Sequence, residues 1–198
     1  MYARLVKLLK DNNIQYKEVR HAKEGSCEAV SKLRGNELSQ AMKAMVVHLE
    51  VGKTKKYFLA IVPGDRTIDK EAISKNLNMP GKFGFTHPDK AKLLTACAMG
   101  TVPPFTLNNE NLKDSDKLKL IADPSIKDNK EIVFNACDLE CSIFMSMEDW
   151  IKVAQPEFVR IAAAKSVVKM FATASDNPNN SKKEAVEKLV EHVSTLKM

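Results

Sequence analysis

Lys43 is the only formal charge in the stretch "SQAMKAMVVHL" (39–49). In an extended strand, alternation puts it on one face with Met45, Val47 and Leu49, while Met42, Ala44 and Val46 occupy the other. Both faces are apolar, as expected of a central strand. A lysine there has two outlets: it snorkels from the strand end, or it places its ammonium in a pocket. In a pocket it is a strong donor that can polarise a carbonyl, hold a phosphate or act as an amine. A second feature, "PGDRTID" (63–69), ends an apolar run in Pro-Gly-Asp before a helix start. Asp65 is read first as a turn residue bonding its own backbone. The other reading brings its carboxylate beside the Lys43 strand, which precedes it in a hairpin.

The third feature is "AMGTVPPF" (98–105). Two adjacent prolines exclude a central strand or a helix interior, because each removes a backbone donor. After Gly100 only Thr101, Val102 and Phe105 carry an N–H in this run. A stiff, uncharged loop headed by glycine suits close approach of backbone amides to a carbonyl oxygen or phosphate. A helix C-cap followed by a polyproline link has the same pattern. Other constellations are weak. The Cys137/Cys141 spacing lacks the second pair of a zinc site, and a Cys97/His87 nucleophile pair lacks an orienting carboxylate. No phosphate-loop or dinucleotide signature is present.

These residues need elements to position them. The pattern predicts a helix over 2–12, a short strand over 14–20 and a helix from a Ser26 cap to Gly35, with Ala29, Val30 and Leu33 on one face. Strands over 41–51 and 55–62 form a hairpin. Asp69 caps a helix to about Leu77, and His87 with Pro88 starts another to about Ala96. Further strands are expected at 117–122, 131–135 and 141–145, then a helix over 147–153. The natural assembly is one compact mixed sheet, largely antiparallel and surrounded by short helices, in a mixed α/β (α+β) domain over 1–156. Residues 157–198, with the polar breaker "SDNPNNSKK", read as a helical appendage or linker.

The chain has 198 residues, of which 44% are hydrophobic, and these proportions suit one globular domain with an appendage. The formal net charge of +6 lies wholly in residues 1–60, which hold 12 Lys/Arg against 6 Asp/Glu, whereas 61–198 hold 19 of each. A basic third favours an acidic partner such as nucleic acid, though an ordinary lysine-rich surface has the same balance. The N-terminus reads as an amphipathic surface helix rather than an apolar leader, and no apolar run reaches membrane-spanning length. Four scattered cysteines suggest no disulfide framework, so a reducing, cytoplasmic setting is expected, without membrane association.

Taken in order, "EAVSKLRG", "QAMKAMVV", "FLAIVPGDRTID", "GTVPPF", "KLKLIADPSI" and "EIVFNACDLECSIFM" resemble the YbaK/prolyl-tRNA synthetase-associated (INS-like) aminoacyl-tRNA editing superfamily, most of all its YeaK-type branch. The resemblance spans about 15–155. It implies a deacylase that hydrolyses the ester of mischarged aminoacyl-tRNA carrying alanine, serine, threonine or cysteine, with Ala-tRNA(Pro) expected first and Ser- or Thr-tRNA next. The family lysine matches Lys43, which would bind the terminal adenosine or its phosphate and orient the ester. The family G-x-x-x-P loop matches Gly100 to Pro104, whose amides would hold the substrate carbonyl or amino-acid end. Lys43 and Gly100 are thus the expected catalytic pair. Thr101, Val102, Pro104, Asp65, Asn135, His21 and Ser26 complete the expected substrate-binding set. No metal or cofactor is implied, water being activated by the tRNA's own hydroxyl. The implied partners are tRNA and prolyl-tRNA or other synthetases; in some protists such a domain precedes a prolyl-tRNA synthetase. Cys137 stands where the family usually has glycine. If it lines the pocket, its thiol narrows the space and favours alanine. A non-catalytic tRNA-binding or synthetase-associated appendage is the alternative.

Overall fold

The computed structural model describes residues 1–107 and 112–163. Helix α1 (Tyr2–Asp11) buries Leu5 and Leu9, one turn apart on one face. Strand β1 (Tyr16–Arg20) follows, then α2 (Cys27–Arg34), capped by the Ser26 hydroxyl and stopped by Gly35 at φ 72°. Strands β2 (Met42–Val51) and β3 (Thr54–Pro63) form the expected hairpin across Gly52 and Lys53. Helix α3 (Lys70–Asn76) starts at Asp69, whose carboxylate accepts the N–H groups of Glu71 and Ala72 at 3.0 Å. After β4 (Lys82–Phe85) comes α4 (Pro88–Thr95), capped by His87. Strands β5 (Lys119–Ala122), β6 (Glu131–Asn135) and β7 (Cys141–Ser146), helix α5 (Met147–Ala154) and the short β8 (Glu157–Phe158) complete the described chain.

Two sheets take the place of the single expected one: β1-β7-β6, all antiparallel, and β4-β2-β3-β5-β8, in which β3–β5 and β5–β8 are parallel. The mixed α/β class and the largely antiparallel pairing hold. The five-stranded sheet is apolar on both faces. Met42, Val46, Leu59 and Ile61 point towards the three-stranded sheet, joining Leu5, Leu9, Phe134 and Trp150 in one core. Val47, Leu49, Phe58, Ala60 and Val62 point the other way, against Ile73 of α3 and Ile161. One sheet cannot cover both faces of a central hairpin, so the chain divides its strands between two layers. Strand β4 escapes the sequence pattern because Gly84 interrupts it. It lies opposite His48, and a Cβ at Gly84 would sit 2.6 Å from the imidazole.

The packed body continues beyond the expected edge at residue 156, through β8 and the buried Val159 and Ile161. Asp123, 4% exposed, fastens this segment. Its Oδ2 accepts the N–H groups of Ile161 at 2.8 Å and Ala162 at 2.7 Å, and its Oδ1 accepts from the Ser125 backbone at 3.0 Å. Burial alone raises the carboxyl pKa, but the Ser125 hydroxyl and these backbone donors outweigh it and hold the carboxyl below its usual range. A carboxylate lowered in this way contributes stability above its unfolded pKa of about 4, and that contribution is lost as pH falls through the folded value. Asp123→Asn therefore costs about 3 kcal/mol at pH 7, where an amide faces backbone donors, and flattens the acid limb of stability. Urea denaturation at several pH values checks this; parallel curves for the two proteins would contradict it. The expected appendage lies mostly outside the described residues.

Candidate functional site

The two sheets meet at a bridge between Ala41 and Val133. Beside that bridge lies a cavity of about 290 Å³. Ala41 and the start of β2 (42–45), including Lys43, form one wall, and the end of β6 (Val133, Phe134 and Asn135) forms the next. Helix α2 contributes Cys27, Val30 and Arg34, and the proline loop contributes Met99, Gly100 and Val102. An open groove of about 650 Å³ also runs along α3, but every residue lining it comes from the contiguous segment 70–81. Its lining has no facing wall from a second part of the fold. The inter-sheet cavity is enclosed on several sides by different elements, as a ligand site requires.

The loop's shape follows from its glycine. Gly100, at φ 81°, is the third residue of a turn closed by the Thr101 N–H donating to the Ala98 carbonyl at 3.1 Å. Three elements then grip the loop through its carbonyls. Asn135 Nδ2 donates to Gly100 O at 2.9 Å, the Cys137 N–H to Thr101 O at 3.0 Å, and Trp150 Nε1 to Pro104 O at 2.9 Å. Of the three amides after Gly100, Thr101 is used in the turn and Phe105 donates to Pro103 O at 2.8 Å. The Val102 and Gly100 N–H groups donate to nothing among the described residues, and both residues line the cavity.

Two cations share this space. Lys43 lies at the first turn of the ladder, opposite Val62, and its charge is felt at the Cys27 thiol. Burial pushes that thiol up, and Lys43 followed by Arg34 pulls it back. The Arg34 guanidinium is lowered to about 10, chiefly by burial. The cavity lining contains no Asp, Glu or His among the described residues. Its polar character is cationic and amide-based.

Residues 21–153 match the family described as the aminoacyl-tRNA editing domain. The chain belongs to that family. Among its relatives, the multifunctional Ser/Thr-tRNA deacylase ProXp-y of Escherichia coli K12 is 33% identical over 80% of this chain and 90% of its own. The same enzyme from E. coli O157:H7 matches equally. Two solved structures share the fold. A hypothetical protein superposes with a TM-score of 0.69 at 13% identity, covering 81% of this chain and 99% of its own. A candidate trans-editing enzyme for prolyl-tRNA synthetase gives 0.66 at 16%, covering 82% and 97%.

In this editing domain the fold brings Lys43, Gly100, Val102 and Asn135 of the expected set to one cavity. The others stand outside its lining. Ser26 caps α2, accepting the Ala29 N–H at 3.4 Å. Thr101 is buried, with its hydroxyl on Ala98 O at 2.9 Å. Pro104 anchors Trp150 through its carbonyl. His21 sits behind the wall, its Nε2 2.7 Å from Ser142 Oγ. Asp65 lies just past β3, where the Arg66 N–H closes a turn onto Pro63 O at 3.0 Å. Cys137 does not line the cavity. It takes a left-handed φ of 62°, which accounts for a usual glycine there, and its thiol is pushed up by hydrogen bonding with Cys97 and by burial. The expected narrowing by this thiol therefore does not occur.

Arg34 and Cys27 were missed because the α2 face was assigned to Ala29, Val30 and Leu33. Leu33 is 53% exposed. The inward stripe is Cys27, Val30, Ser31 and Arg34, a spacing of i, i+3, i+4, i+7 that a mixed polar–apolar stripe conceals.

Proposed function

We propose that this editing domain hydrolyses the ester bond of mischarged aminoacyl-tRNA in the cavity between its two sheets. What supports this is that Lys43, Gly100 and Val102 line one small cavity, and that the Gly100 and Val102 N–H groups donate to nothing among the described residues. Backbone donors fixed before the substrate arrives stabilise charge developing on the ester oxygen without reorganising, which is worth about a hundredfold or more per donor. Lys43 orients the terminal nucleotide. Water attacks the ester carbon, the bond to the ribose oxygen breaks, and that oxygen takes up a proton. The substrate's own neighbouring ribose hydroxyl orients this water by accepting its hydrogen bond and relays a proton onto the departing ribose oxygen, so the proton lost by water ends on the leaving group.

The amino acid removed is small. The argument for alanine from Cys137 falls with that residue's position, and ProXp-y supports reading serine and threonine esters first, with alanine in the same panel. The structural likeness to a candidate trans-editing enzyme for prolyl-tRNA synthetase makes tRNA(Pro) the first RNA to test. Deacylation of Ser-, Thr-, Ala- and Cys-tRNA, with Pro-tRNA(Pro) as control, is the experiment. We expect hydrolysis of at least one small mischarged ester and none of Pro-tRNA(Pro). A panel left intact under enzyme excess while tRNA still binds would favour the non-catalytic reading.

A further inference from the structure

Arg34 is bound to polar groups on three elements around the cavity. Its Nε donates to Asn36 Oδ1 at 3.0 Å, and Nη2 to Ser31 Oγ at 3.4 Å. Nη1 donates to Ser142 Oγ at 3.0 Å and to Asn135 Oδ1 at 3.3 Å. Every acceptor is neutral. The consequence falls on Asn135. A carboxamide can turn either end towards a neighbour, but a guanidinium has only donors, so the oxygen must face Arg34. Ser142 Oγ lies on the same oxygen at 3.1 Å. The nitrogen is thereby turned outward, onto the Gly100 carbonyl at 2.9 Å.

We propose that Arg34 is a positioning residue of the editing site: its fork fixes the orientation of the Asn135 carboxamide, which in turn holds the Gly100 carbonyl and keeps the Gly100 and Val102 amides on the cavity. A lysine cannot replace it. One ammonium on a flexible stem does not span Asn36, Ser31, Ser142 and Asn135 together, although it keeps the charge. The structural half of the proposal stands on these bonds alone, and its effect on rate rests on the function proposed above.

The test uses the full chain as wild type, Arg34→Lys, Asn135→Ala and the double variant. Trp150, the single tryptophan, holds the far end of the same loop at Pro104 and reports on it without any substrate. Acrylamide quenching of its fluorescence is expected to rise in Arg34→Lys and in Asn135→Ala, and the double variant is expected to match Asn135→Ala. In deacylation, Arg34→Lys lowers kcat about tenfold with KM nearly unchanged, because misplaced amides weaken the transition state more than binding. The same substitution in the Asn135→Ala background costs less than about twofold. Losses that multiply would mean that Arg34 acts on the substrate directly, and would overturn the proposal, as would wild-type quenching in Arg34→Lys. If the wild type hydrolyses no ester, the proposed function fails and quenching alone decides the positioning role. Should Arg34→Lys not fold, Ser142→Ala keeps the arginine while deleting one shared acceptor. It should raise quenching less than Asn135→Ala does, and no rise would refute the network.

Discussion

Replacing Lys43 with alanine is expected to lower kcat/KM for deacylation about a hundredfold or more, while the protein melts within a few degrees of wild type. The two halves of this result have separate causes. The rate falls because the ammonium is one of two cations in the described lining, and the other, Arg34, is already engaged by Asn36, Ser31, Ser142 and Asn135. A hundredfold corresponds to about 2.7 kcal/mol of transition-state stabilisation. The fold survives because Lys43 is only half-buried, at the very start of β2, where the strand has just entered its ladder with Val62. A third readout ties the effect to the cavity. Lys43 is the largest charge influence lowering the Cys27 thiol, so its removal raises that thiol further and slows alkylation at a fixed mildly alkaline pH. Wild-type deacylation by Lys43→Ala would remove the residue from the mechanism.

Gly64→Ala carries the largest expected effect on stability, about 3 kcal/mol or more. The cause is space rather than dihedral strain. A Cβ at Gly64 would stand 2.2 Å from the Leu38 carbonyl oxygen and 3.0 Å from Cys27 Sγ. The thiol can rotate; the carbonyl cannot. Leu38 O already accepts the Ala41 N–H at 3.2 Å, and Ala41 O accepts the Gly64 N–H at 2.7 Å, so the end of β3 and the segment entering β2 are stitched together at that contact. Relief requires β3 to part from Ala41, which also lines the cavity, so activity falls with stability. In a domain of this size the melting temperature drops by about 6–12 °C. Gly35→Ala is the control. It has nothing within 4 Å and only a left-handed φ of 72°, so it costs about 1 kcal/mol. Equal melting of Gly64→Ala and wild type would contradict the packing described here.

Much of the local structure was legible because caps and turns are short-range chemistry. Ser26, Asp69 and His87 with Pro88 open their helices where expected, and the β2–β3 hairpin follows from alternation around Gly52. The alternating apolar faces of β2 pointed to a central strand, and separate cores lie on its two sides. The site was legible mainly at Lys43 and Gly100, where a lone charge in an apolar strand and a glycine before two prolines break their local patterns. The same loop pattern marked Val102 as one of three amides after Gly100, and the resemblance to editing domains added Asn135. It also gave His21, Ser26 and Pro104 a substrate-binding role, whereas they serve as a wall support, a helix cap and a loop anchor.

Residue order by itself determined the elements, the apolar hairpin and the loop that no helix or strand can absorb, because each depends on neighbours within a few positions. Only the tertiary structure decided that the strands divide into two sheets and that a cavity opens at the Ala41–Val133 bridge. It alone turned Arg34 inward and Cys137 away. Those outcomes depend on contacts between residues far apart in the chain, such as Arg34 with Ser142, 108 positions on, and local periodicity carries no record of such pairs. The loop at Gly100 shows the division most plainly. Its stiffness is written in two prolines, but the direction of its amides is set by Asn135, Cys137 and Trp150 gripping its carbonyls.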